Sequence, residues 1–298
     1  MRVSRTRALA SIGASLVLAA AGVVAATTPA TAAKAGKQAT LAAPAWAPAD
    51  TAKIHPGVQM YTDGAQCTAN FVYTDGAGNV YVGYAAHCAG TGAATDTNGC
   101  DAGSLPLGTK VDFVEGGSLV TSGTKVGTGT LVYSSWLAMQ QAGTTDADTC
   151  DYNDLALVKV DSQYLDTVNP SIPFWGGPVS VNTDGTAAGD TVYSYGNSSL
   201  RGGVETLSPK QGTSLGTSGG GWTHPVYTVS PGVPGDSGSA FLDAEGNALG
   251  TLSTLAIAPL AGSNGVGDLN HELTFAKAHS GISGLALVPG TEPFSPIL

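Results

Sequence analysis

Short apolar runs separated by turn residues make up most of the chain from Ile54 onward. The clearest runs are FVYTDGAGNVYVGYAAH at 71–87, LALVKV at 155–160, TVYSYG at 191–196 and SAFLDAEGNALGTLST at 239–254. The last of these has a Glu-Gly-Asn turn between two apolar stretches, which is a β-hairpin signal. Regularly spaced short strands with almost no helical periodicity predict an all-β sandwich or barrel.

One segment near the C-terminus departs from this pattern. The stretch NHELTFAKAH at 270–279 contains helix-forming residues and no Gly or Pro, although its apolar positions repeat only weakly. We expect a short C-terminal helix there. Its His271-Glu272 opening resembles a zinc-protease helix, but Phe275 occupies the place of the second histidine, so no zinc motif is present.

The N-terminus predicts export. A start containing three arginines precedes an apolar run at 8–26, and Ala-Thr-Ala at 30–32 has the small-x-small pattern of a cleavage site. This arrangement favours a signal peptide at 1–32 over a retained membrane anchor, because the run consists mainly of Ala and Gly. Residues 33–53, rich in Ala, Pro and Thr, are typical of a leader, short propeptide or flexible tail.

Charge and cysteine content narrow the function classes. The full chain carries a net charge of −10, and removing the three N-terminal arginines would bring it to −13, which argues against nucleic acid or membrane partners. An even number of cysteines in an exported chain favours two disulfides, and the absence of any C-x-x-C pair disfavours zinc. The four are Cys67, Cys88, Cys100 and Cys150, and their spacing leaves all three pairings open.

The strongest candidate for chemistry is the stretch Gly235-Asp236-Ser237-Gly238. The chain has 42 glycines, so such a turn can arise without any catalytic role. A serine hydroxyl becomes a nucleophile only when a base removes its proton and a third group orients that base. If Ser237 is the nucleophile, the amides of Gly235 and Ser237 are placed to stabilise an oxyanion.

His87 and Asp154 are the best candidates for base and orienting group. His87 ends the apolar run VYVGYAAH and precedes Cys88, which could hold it through a disulfide. Asp154 begins the apolar run DLALVKV, where a partly buried carboxylate needs a partner; Asp151 is a weaker alternative in a more polar context. The other histidines, which lack an apolar strand leading into them or lie in the polar C-terminal stretch, are His55, His224, His271 and His279.

These three motifs, Ala85-Ala86-His87-Cys88, Asp154-Leu155-Ala156-Leu157-Val158 and Gly235-Asp236-Ser237-Gly238, occur in the order His, Asp, Ser. Together they resemble the chymotrypsin-like serine proteases, and more closely the secreted actinobacterial streptogrisin-type branch. The resemblance covers most of 54–280.

The resemblance implies a fold and a reaction. Two antiparallel six-stranded β-barrels, at 54–165 and 166–298, would enclose a cleft in which Ser237 attacks a peptide carbonyl, His87 transfers the proton and Asp154 orients His87. It also implies a Cys67–Cys88 disulfide, which leaves Cys100 with Cys150. A secreted monomer acting on protein or peptide, with no cofactor and no metal, is the expected form.

Several positions depart from the family pattern. His87 and Asp154 are 67 residues apart, so 89–150 should carry an extended loop. Ser239 stands where the family more often has glycine, and no cysteine precedes the nucleophile closely. The partner of Asp236 stays open between Arg201 and a freed amino group at Ile54.

Two positions bear on substrate preference, with Pro231 and Ser253 as tentative pocket residues. Pro231, six residues before Ser237, replaces the acid of trypsin-like members, which disfavours Lys or Arg. Leu252 replaces the histidine that glutamate-specific relatives place before the pocket serine. An apolar or small pocket is the remaining expectation.

Two rival functions keep the same residues but not the same chemistry. A catalytically silent secreted binding protein could use the same scaffold. An esterase with the G-x-S-x-G elbow is disfavoured because Ser239 ends the motif.

Overall fold

A computed structural model describes residues 44–92, 96–255 and 262–296. The predicted signal peptide at 1–32 and the first part of the predicted leader lie outside the described residues. Within them, no helix combines the length and the apolar character needed to cross a bilayer. Residues 41–298 group into one compact unit.

Strands dominate the described chain, as the alternation of apolar runs and turns predicts. The strands are β1 Gln59–Thr62, β2 Ala65–Thr68, β3 Val72–Thr74, β4 Val80–Ala85, β5 Lys110–Glu115, β6 Thr124–Ser134, β7 Leu155–Val160, β8 Ala188–Tyr195, β9 Pro209–Leu215, β10 Thr223–Thr228, β11 Ala240–Leu242, β12 Ala248–Leu255, β13 Asn264–Asp268 and β14 Ala286–Leu287. The helices are α1 Ser135–Ala142, α2 Ala147–Tyr152 and α3 Leu269–His279. Helix α3 confirms the predicted C-terminal helix, and the side chain of Asp268 caps it by accepting from the His271 amide.

The strands form one closed barrel and one open sheet. The barrel has six strands in the order β10-β13-β12-β11-β8-β9, and the sheet has eight in the order β14-β3-β4-β7-β6-β5-β1-β2. The prediction of a closed six-stranded barrel is therefore correct for the C-terminal half and wrong for the N-terminal half.

The break in the N-terminal sheet falls between β2 and β3. Ala69 still pairs with Val58 beside β1, whereas Asn70 donates to Gly83 on β4 at 2.8 Å, so the chain changes partners within two residues. The free edge of β3 is covered by β14, where Leu287 lies opposite Tyr73. The sheet thus curls back on itself through the chain 65–74 without a continuous ladder, and it includes a strand from the predicted C-terminal half.

The core lies in three clusters that explain why the two halves stay together. One fills the N-terminal sheet, and a small one fills the barrel with six apolar side chains that include Phe241 and Leu252. The third contains Trp175, Leu155 and Leu273, and it joins residues of the sheet, the barrel and α3. Burying a large apolar side chain contributes about 1.5–3 kcal/mol, so this shared cluster ties the halves strongly.

Residues 44–53 differ from the flexible tail expected for the leader. Trp46 packs against the sheet core, and the Ala47 amide donates to Val168 at 2.9 Å. Ile54 is fully buried, and its amide donates to Thr167 at 3.1 Å. These contacts hold the segment before Ile54 to the body of the protein.

The segment 89–150 is more than the extended loop that the sequence predicts. It contains β5, β6, α1 and most of α2, with an irregular stretch at 96–109 before β5. Two features bind that stretch to the helices: a Cys100–Cys150 disulfide, and the Gln140 side chain, which donates to the carbonyls of Gly99 and Ala102 at 2.8 Å each. The second disulfide joins Cys67 and Cys88, so both expected pairings are present.

Removing the Cys100–Cys150 bond should lower stability markedly. The bond closes a loop spanning 50 residues, and the chain-entropy relation assigns such a loop about 4 kcal/mol of unfolding free energy. The Cys100→Ser/Cys150→Ser double variant should therefore unfold at lower urea concentration by circular dichroism. Asp101→Asn, at an exposed position of the same loop, is the control, and an unchanged midpoint in the double variant would contradict this account.

Candidate active site

His87 stands at the end of a fully buried strand. Strand β4 is buried along its whole length between β3 and β7, and the chain then turns through a short 3₁₀ segment that includes His87. The next residue, Cys88, is fixed by its disulfide to Cys67. The imidazole keeps 25% of its surface exposed, so it is held by its backbone and open to a ligand on one side.

Asp154 lies against His87 and is almost completely buried. Its Oδ2 is 2.6 Å from His87 Nδ1, and its Oδ1 accepts from the His87 amide at 2.8 Å. The Ser253 hydroxyl also donates to Oδ2 at 2.6 Å. Burial alone would lower the pKa of His87, but the charge and hydrogen bond of Asp154 outweigh it, so that pKa is raised.

Ser237 lines the same cleft as these two residues. The cleft has a volume of about 540 Å³ and runs between the sheet and the barrel. Twenty of the described residues line it, among them His87, Asp154, Ser237, Trp136, Leu252 and Asn264. The 89–150 segment contributes five residues to the cleft wall: Gly90, Gly92, Asp96, Thr97 and Trp136. The structure therefore places all three sequence-predicted reactive residues in one cavity.

The turn that carries Ser237 requires glycine on both sides. Gly235 and Gly238 have φ of 95° and 89°, which L-residues rarely adopt. A Cβ at Gly235 would overlap the Gln66 side chain, and one at Gly238 would overlap the Thr68 carbonyl oxygen. The turn is thus pressed against β2, where the Thr68 amide donates to the Ser237 carbonyl at 2.8 Å.

In this turn, every second backbone amide donates a hydrogen bond to a protein carbonyl. Asp236 donates to Val233 at 2.8 Å and Gly238 donates to Leu252 at 2.7 Å. Within the described chain, the amides of Gly235 and Ser237 have no hydrogen-bond acceptor among protein atoms. Two unused donors separated by one residue are the arrangement that stabilises an oxyanion.

Asp236, fully buried behind the turn, pairs with two internal cations. Arg201 Nη2 and Lys210 Nζ each lie 2.5 Å from Asp236 Oδ2. Burial acts to raise the pKa of Asp236, but Lys210 and Arg201 outweigh it and hold that pKa below its ordinary value. Since Ile54 is buried and its amide is used elsewhere, the structure favours Arg201 over a freed Ile54 amino group.

Sequence reasoning missed Lys210. It lies in the polar stretch PKQGTS, where a lysine is ordinarily a solvated surface residue, yet its side chain is only 1% exposed. Nothing local indicates that β9 turns Lys210 inward toward Asp236.

The tentative pocket residues behave differently from one another. Ser253 lines the cleft, but its hydroxyl is bonded to Asp154. Pro231 is not among the cleft residues, and its carbonyl accepts from Arg201 at 3.0 Å. The walls beside Ser253 are formed by Gly232, Leu252 and Asn264, and Asn264 Oδ1 accepts from the Gly232 amide at 2.8 Å.

Ser239 is buried and lies outside the cleft lining. Its hydroxyl donates to the carbonyl of Asp236 at 2.5 Å, and its amide donates to the same carbonyl at 3.0 Å. A serine at this position therefore braces the turn from behind and leaves the space in front of Ser237 unchanged.

Two other clusters of titratable residues do not form a competing site. Among the described residues, the atoms of Cys67, His87 and Cys88 lie close enough to suggest a metal, but both sulfurs are in a disulfide and His87 Nδ1 is bonded to Asp154. The other cluster is in the barrel, where Asp268 accepts from His224 at 2.9 Å and His271 at 2.7 Å and caps α3. His224 is fully buried on β10, away from the cleft lining.

Comparisons with known proteins give structural neighbours only. No protein-family model matches the chain, and no curated protein matches it by sequence. Protease A from Thermobifida fusca is 19% identical with a TM-score of 0.47, covering 80% of this chain and 99% of its own. The Nocardiopsis protease is 19% identical with a TM-score of 0.44 and coverages of 78% and 98%. Cellulomonas bogoriensis chymotrypsin is 18% identical with a TM-score of 0.44, and the match covers 79% of this chain and 98% of its own. Neither family membership nor activity follows from similarity at this level.

The two cations on Asp236 should differ in their contribution to stability. Breaking a buried ion pair costs about 3 kcal/mol or more, and Lys210 is more deeply buried than Arg201, which is 10% exposed. Because the folded-state pKa of Asp236 is depressed, this stabilisation is present at pH 7 and is lost as the pH falls through that pKa.

We therefore expect Lys210→Met to lower the free energy of unfolding at pH 7 more than Arg201→Met does. Urea denaturation of both variants and of the wild type measures this difference. An equal or larger loss in Arg201→Met would show that the lysine is not the principal counter-ion.

Proposed function

We propose that the chain is a secreted serine endopeptidase that cleaves peptide bonds through an acyl-enzyme intermediate. The observation that carries the proposal is the 2.6 Å contact between His87 Nδ1 and the buried Asp154 carboxylate, in the same cleft as Ser237. This contact holds the imidazole in the tautomer that keeps Nε2 free to accept a proton. The two disulfides agree with an oxidising, extracellular destination.

In this proposal each residue has one task. Ser237 Oγ attacks the substrate carbonyl carbon while His87 Nε2 takes the hydroxyl proton, and the Gly235 and Ser237 amides bind the oxyanion. His87 then returns the proton to the leaving amine, and a water molecule repeats the sequence to release the acyl group. Asp154 stays ionised throughout and stabilises the imidazolium, assisted by the Ser253 hydroxyl.

The cleft supports a preference for small or apolar substrate side chains. Its wall beside Ser253 contains Gly232, Leu252 and Thr254, and the Asn264 carboxamide is bonded to the Gly232 amide. None of these side chains beside Ser253 carries a charge that could pair with Lys, Arg or Glu, and the Asp96 carboxyl group, which also lines the cleft, belongs to the 89–150 segment. The proposed enzyme therefore selects its substrate by fit and burial of an uncharged group.

Variants of the three residues test the reaction. A fluorophosphonate probe should label the wild type but not Ser237→Ala, because only an activated serine reacts with it. Removing the nucleophile or the base should lower kcat by about 10⁶-fold, and Asp154→Asn by about 10⁴-fold. Cleavage of a peptide library measures both rate and preference, with Ser162→Ala, at an exposed position outside the cleft lining, as a control.

A wild type that is neither labelled nor active at neutral pH would refute the protease proposal and support a catalytically silent binding protein. Clear cleavage after Lys, Arg or Glu would refute the uncharged pocket while leaving the reaction intact.

The pH dependence of activity should follow His87. The imidazole must be neutral to accept a proton, and its pKa is raised above the model-peptide value of 6.5. Activity should therefore fall on the acid side, with a midpoint of kcat/KM above pH 6.5. A pH-rate profile measures this midpoint, and a value at or below that of free histidine would contradict the coupling to Asp154.

A further inference from the structure

The C-terminal helix carries a buried acid that touches the proposed site. Glu272, on α3, is fully buried, and its Oε1 accepts from the backbone amide of Asp154 at 3.1 Å. Its Oε2 accepts from the Thr251 hydroxyl at 2.8 Å. The sequence shows only a polar stretch, HELTFAKAH, in which a glutamate is expected to face solvent.

Both contacts of Glu272 converge on Asp154. One holds the Asp154 main chain directly. The other holds Thr251 on β12, two residues before Ser253, whose hydroxyl reaches Asp154 Oδ2 at 2.6 Å. The Asn70 side chain also donates to the Thr251 hydroxyl, at 3.2 Å, so the N-terminal sheet joins the same network. The Glu272 carboxyl group therefore joins the barrel strand β12 to the residue that precedes β7.

The carboxyl group is closely enclosed. A Cβ at Gly267 would lie 2.5 Å from Glu272 Oε1, so α3 and β13 approach each other closely there. Asp154 and Asp268 are the nearby acids. The close approach of β13 to α3 therefore restricts movement of the Glu272 side chain.

Burial raises the pKa of Glu272 well above its ordinary value, and the charges of Asp154 and Asp268 add to this effect. Burial therefore favours the uncharged form of this carboxyl group, which places no second negative charge beside the Asp154 carboxylate.

We propose that Glu272 is a positioning residue, whose carboxyl group holds the main chain of Asp154 so that the Asp154 carboxylate meets His87 in the reactive geometry. The inference rests on the proposed function, since it concerns the same three residues. A helix anchor with no such role would stabilise the fold equally well, so the test must separate position from stability.

The first measurement does not depend on activity. In a Ser237→Ala background, the His87 ring is titrated by NMR, with its signal assigned by its loss in a His87→Asn variant. Glu272→Leu removes both acceptors at similar volume, and loosening Asp154 should move the His87 pKa to lower pH. Glu272→Gln keeps an acceptor for the Asp154 amide and should restore the wild-type titration.

Leu273→Ala is the matched control, because Leu273 is buried on the same helix and belongs to the shared core cluster. It should lower the melting temperature and leave the His87 titration unchanged. If Glu272→Leu yields no folded protein, Glu272→Asp, which keeps the acid but shortens it, goes through the same titration. An unchanged His87 pKa in folded Glu272→Leu, or in Glu272→Asp where the leucine variant does not fold, would overturn the inference.

Kinetics on the Ser237-containing enzyme give the second measurement. With active sites counted by the fluorophosphonate, Glu272→Leu should lower kcat about 10- to 100-fold per active site with little change in KM, since a small displacement of a reactive group costs that much. Glu272→Gln should recover most of this loss. A normal kcat per active site in Glu272→Leu would refute the positioning role, whereas an unlabelled wild type would refute only the proposed function.

Discussion

The arrangement of this molecule depends on one buried carboxylate. An ionised acid removed from water must receive its hydrogen bonds from the protein, or it becomes strongly destabilising. The Asp154 carboxylate receives them from His87 after β4 and from Ser253 on β12. The backbone amide of Asp154 in turn donates to Glu272 on α3. These elements belong to the sheet, the barrel and the helix, so their relative placement is fixed where the cleft lies.

The second buried acid is satisfied in a different way. Asp236 is compensated by Lys210 and Arg201, which together carry more positive charge than it carries negative. In the described part of the chain, Asp154 receives only neutral donors besides His87. Its charge is therefore not cancelled locally, and this is why it raises the pKa of His87. One aspartate serves the rigidity of the turn, and the other the basicity of the imidazole.

Sequence patterns predict the features that are local. The strands at 155–160 and 191–196, the hairpin at 239–254 and the C-terminal helix all follow from apolar periodicity and turn residues. His87, Asp154 and Ser237 were found because each sits at the edge of an apolar run with a recognisable neighbour. The sequence leaves the partner of Asp236 open between Arg201, the sole arginine after residue 7, and a freed amino group at Ile54.

The features that sequence reasoning did not predict depend on distant partners. The open N-terminal sheet arises because Asn70 changes pairing partner, which no composition or period encodes. Lys210 and Glu272 are ionisable residues in polar stretches of the sequence, and only the folding of β9 and α3 against the rest of the protein buries them. The distance of Pro231 from Ser237 along the chain predicts a pocket residue. In the structure Pro231 lies outside the cleft lining, and its carbonyl accepts a hydrogen bond from Arg201.

The short strand β14 has a consequence for biosynthesis. Leu287 pairs with Tyr73, so the edge of the first sheet is completed by a residue made more than two hundred positions later. Helix α3, which supplies a contact to Asp154, also emerges late. A chain that is still being translated therefore lacks parts of the framework around His87, and the cleft is assembled only when nearly the whole polypeptide is available to fold.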